Sequence, residues 1–126
     1  MATTRTVFSP RSSHMSIAER PIVDRLTDAR RYAQMARQIA ESTDALPDIR
    51  ILAIRHCLML VGEALDFVPN EIFAHEPLIP WRRAIALRHR LIHGYWLIDE
   101  DIINEIARNE TEALVAALDR LIQKLR

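Results

Sequence analysis

The chain is poor in several residue types, and each shortage excludes something. Of its 126 residues one is cysteine, Cys57, so no intramolecular disulfide can form. The apolar neighbours of Cys57 read it as a buried thiol, and a reducing cytoplasm is the compartment this usage suggests. Glycine occurs twice, at Gly62 and Gly94. That leaves no Gly-rich phosphate loop and no two-residue hairpin turn. No apolar run approaches the roughly 20 residues needed to cross a bilayer, so no membrane association is expected. The first residues, "MATTRTVFSPRSSHMS", contain no continuous apolar segment of the secretory-signal kind. Net charge is zero, with 17 basic residues against 17 acidic ones. Bulk charge therefore gives no reason for nonspecific nucleic-acid binding. Lysine is nearly absent: Lys124 is the sole example, and the remaining positive charge is arginine. Arginine suits bidentate phosphate contacts; a high-GC genome would produce the same bias.

What remains is strongly helical in pattern, with hydrophobic residues making up 49% of the chain. Residues 1–16 are polar and without period, and read as a mobile tail; residues 17–126 read as one helical domain. From Pro21 to Glu41, Ile22, Leu26, Ala29, Ala33, Ala36 and Ala40 recur in steps of four and three. The alanines would let a neighbouring helix approach closely. A second helix is expected from about Asp48 to Val68, with Ile51, Ile54, Leu58, Val61, Leu65 and Val68 on one stripe. Gly62 in its middle costs about 1 kcal/mol relative to alanine, which tight helix packing would explain. Glu63 beside it reads as a helix-surface carboxylate paired with an arginine. Pro69 stops this helix, and "NEIFA" suits one short turn. A third helix is expected from Trp81 to His93, with Gly94 as a C-cap glycine. Asp99 or Asp101 can cap a last helix that carries Ile102, Ile103, Ile106, Leu114, Leu118, Leu121 and Leu125. Four main helices with short connections and extra helical turns predict an all-α, antiparallel four-helix bundle.

The chemistry-bearing residues gather in "RHRLIHGYW", Arg88 to Trp96. Between Pro77 and Ile98 there is no acidic residue, yet Arg82, Arg83, Arg88 and Arg90 all lie there. His89 and His93, four apart, could present two imidazoles to a metal. However, the HExxH pattern is missing and no cysteine or carboxylate stands at a confirming spacing, so no metal site and no cofactor is expected. Arginine and histidine together are also a minimal kit for phosphodiester cleavage. The imidazole moves protons near neutral pH, and the guanidinium steadies the phosphoryl oxygens. Arg88 and His93 are five residues apart, which on a straight helix is a rotation of about 140° and a rise of about 7.5 Å. They can cooperate if the helix ends or bends near Gly94, or if a two-fold partner brings a second copy alongside.

The segment "IPWRRAIALRHRLIHGYWLID" resembles the signature of HepT-like toxins, in the HEPN (higher-eukaryote and prokaryote nucleotide-binding) superfamily. That signature is Arg, four to six residues, His, one residue and Tyr, matched here by Arg88, His93 and Tyr95. The superfamily often has a polar residue directly after the Arg, and His89 fits. "IRHCLMLVGEALDFVP" is similar to the family's helix with a Gly-Glu-Ala core, and Pro80, Trp81 and Asp99 also fit. The likeness covers about residues 22–125. It departs at the N-terminus, where the family's first helix usually starts near residue one. The resemblance implies a HEPN-like bundle that dimerises, with the Arg and His of two subunits facing one cleft. It implies a metal-independent endoribonuclease toxin, acting on RNA and neutralised by a minimal nucleotidyltransferase antitoxin that adenylylates Tyr95.

On that reading His93 is the acid–base group and Arg88 holds the scissile phosphate. His89 orients one of these or contacts RNA, unless it is a surface or interface residue. Arg83 and Arg90 contact flanking phosphates, with a solvated helix face as the competing reading. Tyr95 is the modification target or an aromatic packed at an interface. Trp81 and Trp96 read as core or interface residues. The rival from another class is a catalytically silent helical module that docks a nucleotidyltransferase. The presence of both Arg88 and His93 favours the enzyme.

Overall fold

A computed structural model describes residues 20–94 and 98–126. The expected tail, residues 1–16, lies outside the described residues, as do Tyr95 and Trp96. Among the described residues all regular structure is helical: α1 (Ile22–Glu41), α2 (Pro47–Asp66), α3 (Asn70–Phe73), α4 (Trp81–His93), α5 (Glu100–Glu105) and α6 (Thr111–Leu125). A π-helical turn, Ile106–Glu110, joins α5 to α6. No helix is long and apolar enough to cross a membrane among these residues.

α1 is the centre of the bundle, packed against both α2 and α6. Its composition explains the position. Ala29, Ala33 and Ala36 are fully buried and Ala40 nearly so, so two neighbours can approach its backbone. The α2 stripe is buried as expected, from Ile51 through Val68. α4 packs on the opposite flank of α2 and has no comparable contact with α1 or α6. α4 thus joins the bundle mainly through α2, and it also faces α6 across a cavity.

The core divides into two clusters along the helix axes. One holds Leu26, Leu65, Phe73, Trp81, Leu118 and Leu121 at one end; the other holds Ile54, Cys57, Leu58, Leu91, Ile98 and Ile103. Trp81 is locked into the first by stacking on Phe73, with ring centroids 4.5 Å apart. Its indole N–H donates to the Glu76 carbonyl at 2.9 Å. The Glu76 carboxylate in turn accepts two hydrogen bonds from Arg120 of α6, at 3.0 and 2.6 Å. This ties the α3–α4 connection to the far side of the bundle.

One local expectation changes in detail and two are met. The last helix is not continuous, because the π turn inserts an extra residue per turn at Ile106–Glu110. Ile102 and Leu125 fall outside the buried stripe, which runs through Ile103, Ala107, Leu114, Leu118 and Leu121. Gly94 does end α4, with its N–H on the Arg90 carbonyl at 2.8 Å, but with φ −140°. It is the C-cap glycine expected, at a negative rather than a left-handed φ. Asp99 caps α5 as expected, its carboxylate accepting from the Ile102 N–H at 3.1 Å.

Candidate functional site

α4 is amphipathic with three distinct faces, and each carries a different part of the basic stretch. Trp81, Ala84, Ile85 and Leu91 are apolar and turn inward, which fixes the roll of the helix. Leu91 before the end of α4 and Ile98 after it are both buried in the same cluster. They pin the two sides of the motif's end to the bundle. Arg55 of α2 reinforces this, donating to the Ile98 carbonyl at 2.6 Å.

Arg88 lies on the face toward α2. Its Nε contacts the Glu63 carboxylate at 2.6 Å, and each side chain is 35% exposed. The approach of the two helices here is set by Gly62. A Cβ on Gly62 would stand 2.5 Å from the Cβ of Arg88 and 3.3 Å from the Ala84 carbonyl oxygen. The glycine that seemed costly in mid-helix is thus the point where α4 crosses α2. The expected pairing of Glu63 with an arginine is also met. What the sequence did not reveal is that the arginine is Arg88. The only signal was a Gly-Glu pair within one helix and an acid-free basic helix elsewhere.

His89 and His93 lie one turn apart on the exposed side of α4, with ring centroids 4.5 Å apart and planes at 48°. His93 is in the last turn. Arg88 therefore points toward α2 and His93 toward solvent, as the five-residue offset requires on an unbroken helix. Among the described residues, no three His, Cys, Asp or Glu side chains converge as a metal site would need.

The third face carries Arg83, Leu87 and Arg90. It lines a mostly apolar cavity of about 360 Å³ whose other walls include Leu58 and Val61 of α2, Ile106 of the π turn and Leu114 of α6. Arg83 is ion-paired with Glu110 across it at 2.6 Å. Its charge is therefore already met within the chain. Arg90 has no carboxylate partner among the described residues. Arg88 and His93 do not line this cavity. Burial pushes the Cys57 thiol above its ordinary value, which disfavours the reactive thiolate.

The comparisons with known proteins cover most of this helical region. Residues 23–121 match the family described as "Ribonuclease HepT-like". The chain belongs to the HepT-like ribonuclease family. A Thermococcus cleftensis protein named as a probable ribonuclease HepT is 29% identical over 69 residues, 55% of this chain and 63% of that protein. A Methanocaldococcus jannaschii protein provisionally named an RNase is 30% identical over 73 residues, 58% of this chain and 63% of that one. A Caldanaerobacter subterraneus subsp. tengcongensis protein, also provisionally named an RNase, is 30% identical over 67 residues, 53% and 60%. The HepT-like chain thus spans less than two thirds of the length of these relatives. No solved structure matches it.

Proposed function

We propose that this chain is the toxin of a toxin–antitoxin pair, a metal-independent endoribonuclease of the cytoplasm whose Arg88 and His93 act at a cleft shared by two copies. What supports it most is membership of the HepT-like ribonuclease family together with an α4 that carries both residues. One half-exposed guanidinium and one exposed imidazole on different faces make an incomplete site. A two-fold partner would bring a second set alongside.

The chemistry follows from these groups. The RNA 2′-hydroxyl attacks the adjacent phosphorus, forming a 2′-oxygen–phosphorus bond as the bond to the 5′-oxygen breaks. The products are a 2′,3′-cyclic phosphate and a 5′-hydroxyl. One imidazole takes the 2′-hydroxyl proton, and a protonated imidazole supplies a proton to the leaving 5′-oxygen; a dimer provides both. The Arg88 guanidinium steadies the charge on the phosphoryl oxygens. His89 orients His93 from the preceding turn, and Arg90, free of a carboxylate among the described residues, contacts a flanking phosphate. Arg83 is left for that role only when Glu110 releases it. A minimal nucleotidyltransferase antitoxin silences the site by adenylylating Tyr95. Nucleotide phosphates placed beside Arg88 and His93 would repel RNA and block it sterically.

The deciding experiment compares RNA cleavage by wild type and His93→Ala, with folding and dimerisation of the variant confirmed. Wild type cuts and His93→Ala does not. Equal cleavage by both removes His93 from the chemistry; cleavage by neither favours a silent module that only docks the nucleotidyltransferase. Co-expression with that partner adds mass in multiples of one AMP, and Tyr95→Phe abolishes the gain. Light scattering at micromolar concentration gives the mass of a dimer.

A further inference from the structure

The four arginines of the α4 region are not equivalent. Arg82 reaches the Asn70 side chain from an exposed position. Arg83 pairs with Glu110, but its side chain is 71% exposed, so the pair is loosely held in solvent. Arg90 has no carboxylate partner among the described residues. Arg88 differs from all three. It is half-buried, it meets a carboxylate at 2.6 Å, and both partners stand on long helices that are themselves in backbone contact. The contact is made at Nε, on the inner edge of the guanidinium. With the side chain 35% exposed, part of it is open to a ligand arriving from solvent.

A carboxylate at this place has a cost for an RNA-binding surface, because it repels phosphate. It also offsets the charge that Arg88 offers. The arrangement makes sense if orientation matters more than net charge. A long arginine side chain has many rotamers, and fixing its inner edge restricts the outer one to a single heading. Gly62 completes the device. Only without a side chain at that position can α2 and α4 cross closely enough for Glu63 to reach the inner edge of Arg88.

We infer that Glu63 is a positioning residue for Arg88, and that the Gly62 crossing is what brings it within reach. The inference rests on the reading of Arg88 as the phosphate-holding group. Its signature is a split between rate and binding. In Glu63→Gln, kcat falls about 10- to 100-fold, as expected when a reacting group drifts by up to 1 Å. Binding of an uncleavable RNA, 2′-deoxy at the scissile nucleotide, stays equal or tightens, because a repelling carboxylate is gone. The shape of the kcat–pH profile is unchanged, because Glu63 carries no proton in the reaction.

The test measures these three quantities for wild type, Glu63→Gln and Arg88→Ala, with melting temperature and dimer mass as controls. Three results overturn the inference: a kcat for Glu63→Gln within threefold of wild type, a joint loss of kcat and RNA affinity, or an acid limb that moves with the substitution. If Arg88→Ala cuts RNA as well as wild type, it is the reading of Arg88 that fails, and the inference fails with it for that separate reason. Should Glu63→Gln lose its fold, Glu63→Asp replaces it. It keeps the charge but shortens the reach, so kcat falls while the charge-dependent binding is unchanged; an unaltered kcat overturns the inference.

Discussion

Replacing Gly62 by alanine sets two calculable effects against each other. In an isolated helix the change stabilises by about 1 kcal/mol. In this protein the new methyl would lie 2.5 Å from the Arg88 Cβ, 0.9 Å short of the 3.4 Å at which ordinary contact begins. The Arg88 Cβ cannot rotate away, because it is fixed to the α4 backbone. The helices must therefore part by roughly 1 Å, and overpacking of this kind costs about 1–3 kcal/mol. Set against the gain in helix propensity, the net loss is about 0–2 kcal/mol. At about 4 °C per kcal/mol for a domain of this size, Tm falls by no more than about 10 °C. Activity should suffer more than stability, since a shift of 1 Å at the guanidinium can cost about 100-fold in rate. Thermal unfolding followed by circular dichroism, with RNA cleavage on the same preparation, checks both. A Gly62→Ala protein that melts higher than wild type and cuts RNA normally would refute the close crossing.

Other expectations are independent of the proposed activity. Trp81→Phe removes the indole donor and leaves the Glu76 carbonyl with only the Ile79 N–H at 3.3 Å, and urea unfolding should register a loss of about 0.5–1.5 kcal/mol. The Arg120 guanidinium holds the Glu76 carboxyl below its ordinary value of 4.5. A group depressed in the folded state adds stability above its unfolded value and loses it as pH falls through the lower folded value. Wild type should therefore lose more Tm than Glu76→Gln on acidification from roughly pH 5 to 3; parallel curves would contradict the pairing. Cys57, buried and with its thiol raised, should react with an aromatic disulfide at pH 8 far more slowly in the folded protein than in urea. Equal rates would mean that the second core cluster opens freely.

Much of this protein is written in short-range pattern. The stripes of α1 and α2, the proline and aspartate punctuation, the short α3 and the end of α4 at Gly94 follow from helical periodicity and backbone sterics, which act within a turn or two. The grouping of arginine and histidine in one helix, with the likeness to a ribonuclease family, was equally visible. Other features depended on which faces meet across the bundle, and pattern alone does not carry that. Arg25 is one example: adjacent to the apolar stripe, it is buried with its guanidinium 4.7 Å over the Phe67 ring. The π turn is another, a backbone adjustment between Ile103 in one core cluster and Leu114 in the other. The ion pairs Arg83–Glu110 and Arg88–Glu63 join residues 27 and 25 apart in sequence. The sequence by itself determined that a basic, histidine-bearing helix would form here, because helix formation is local. Only the tertiary structure decided that Arg88 answers to Glu63, because Gly62 lets those two helices cross at that point.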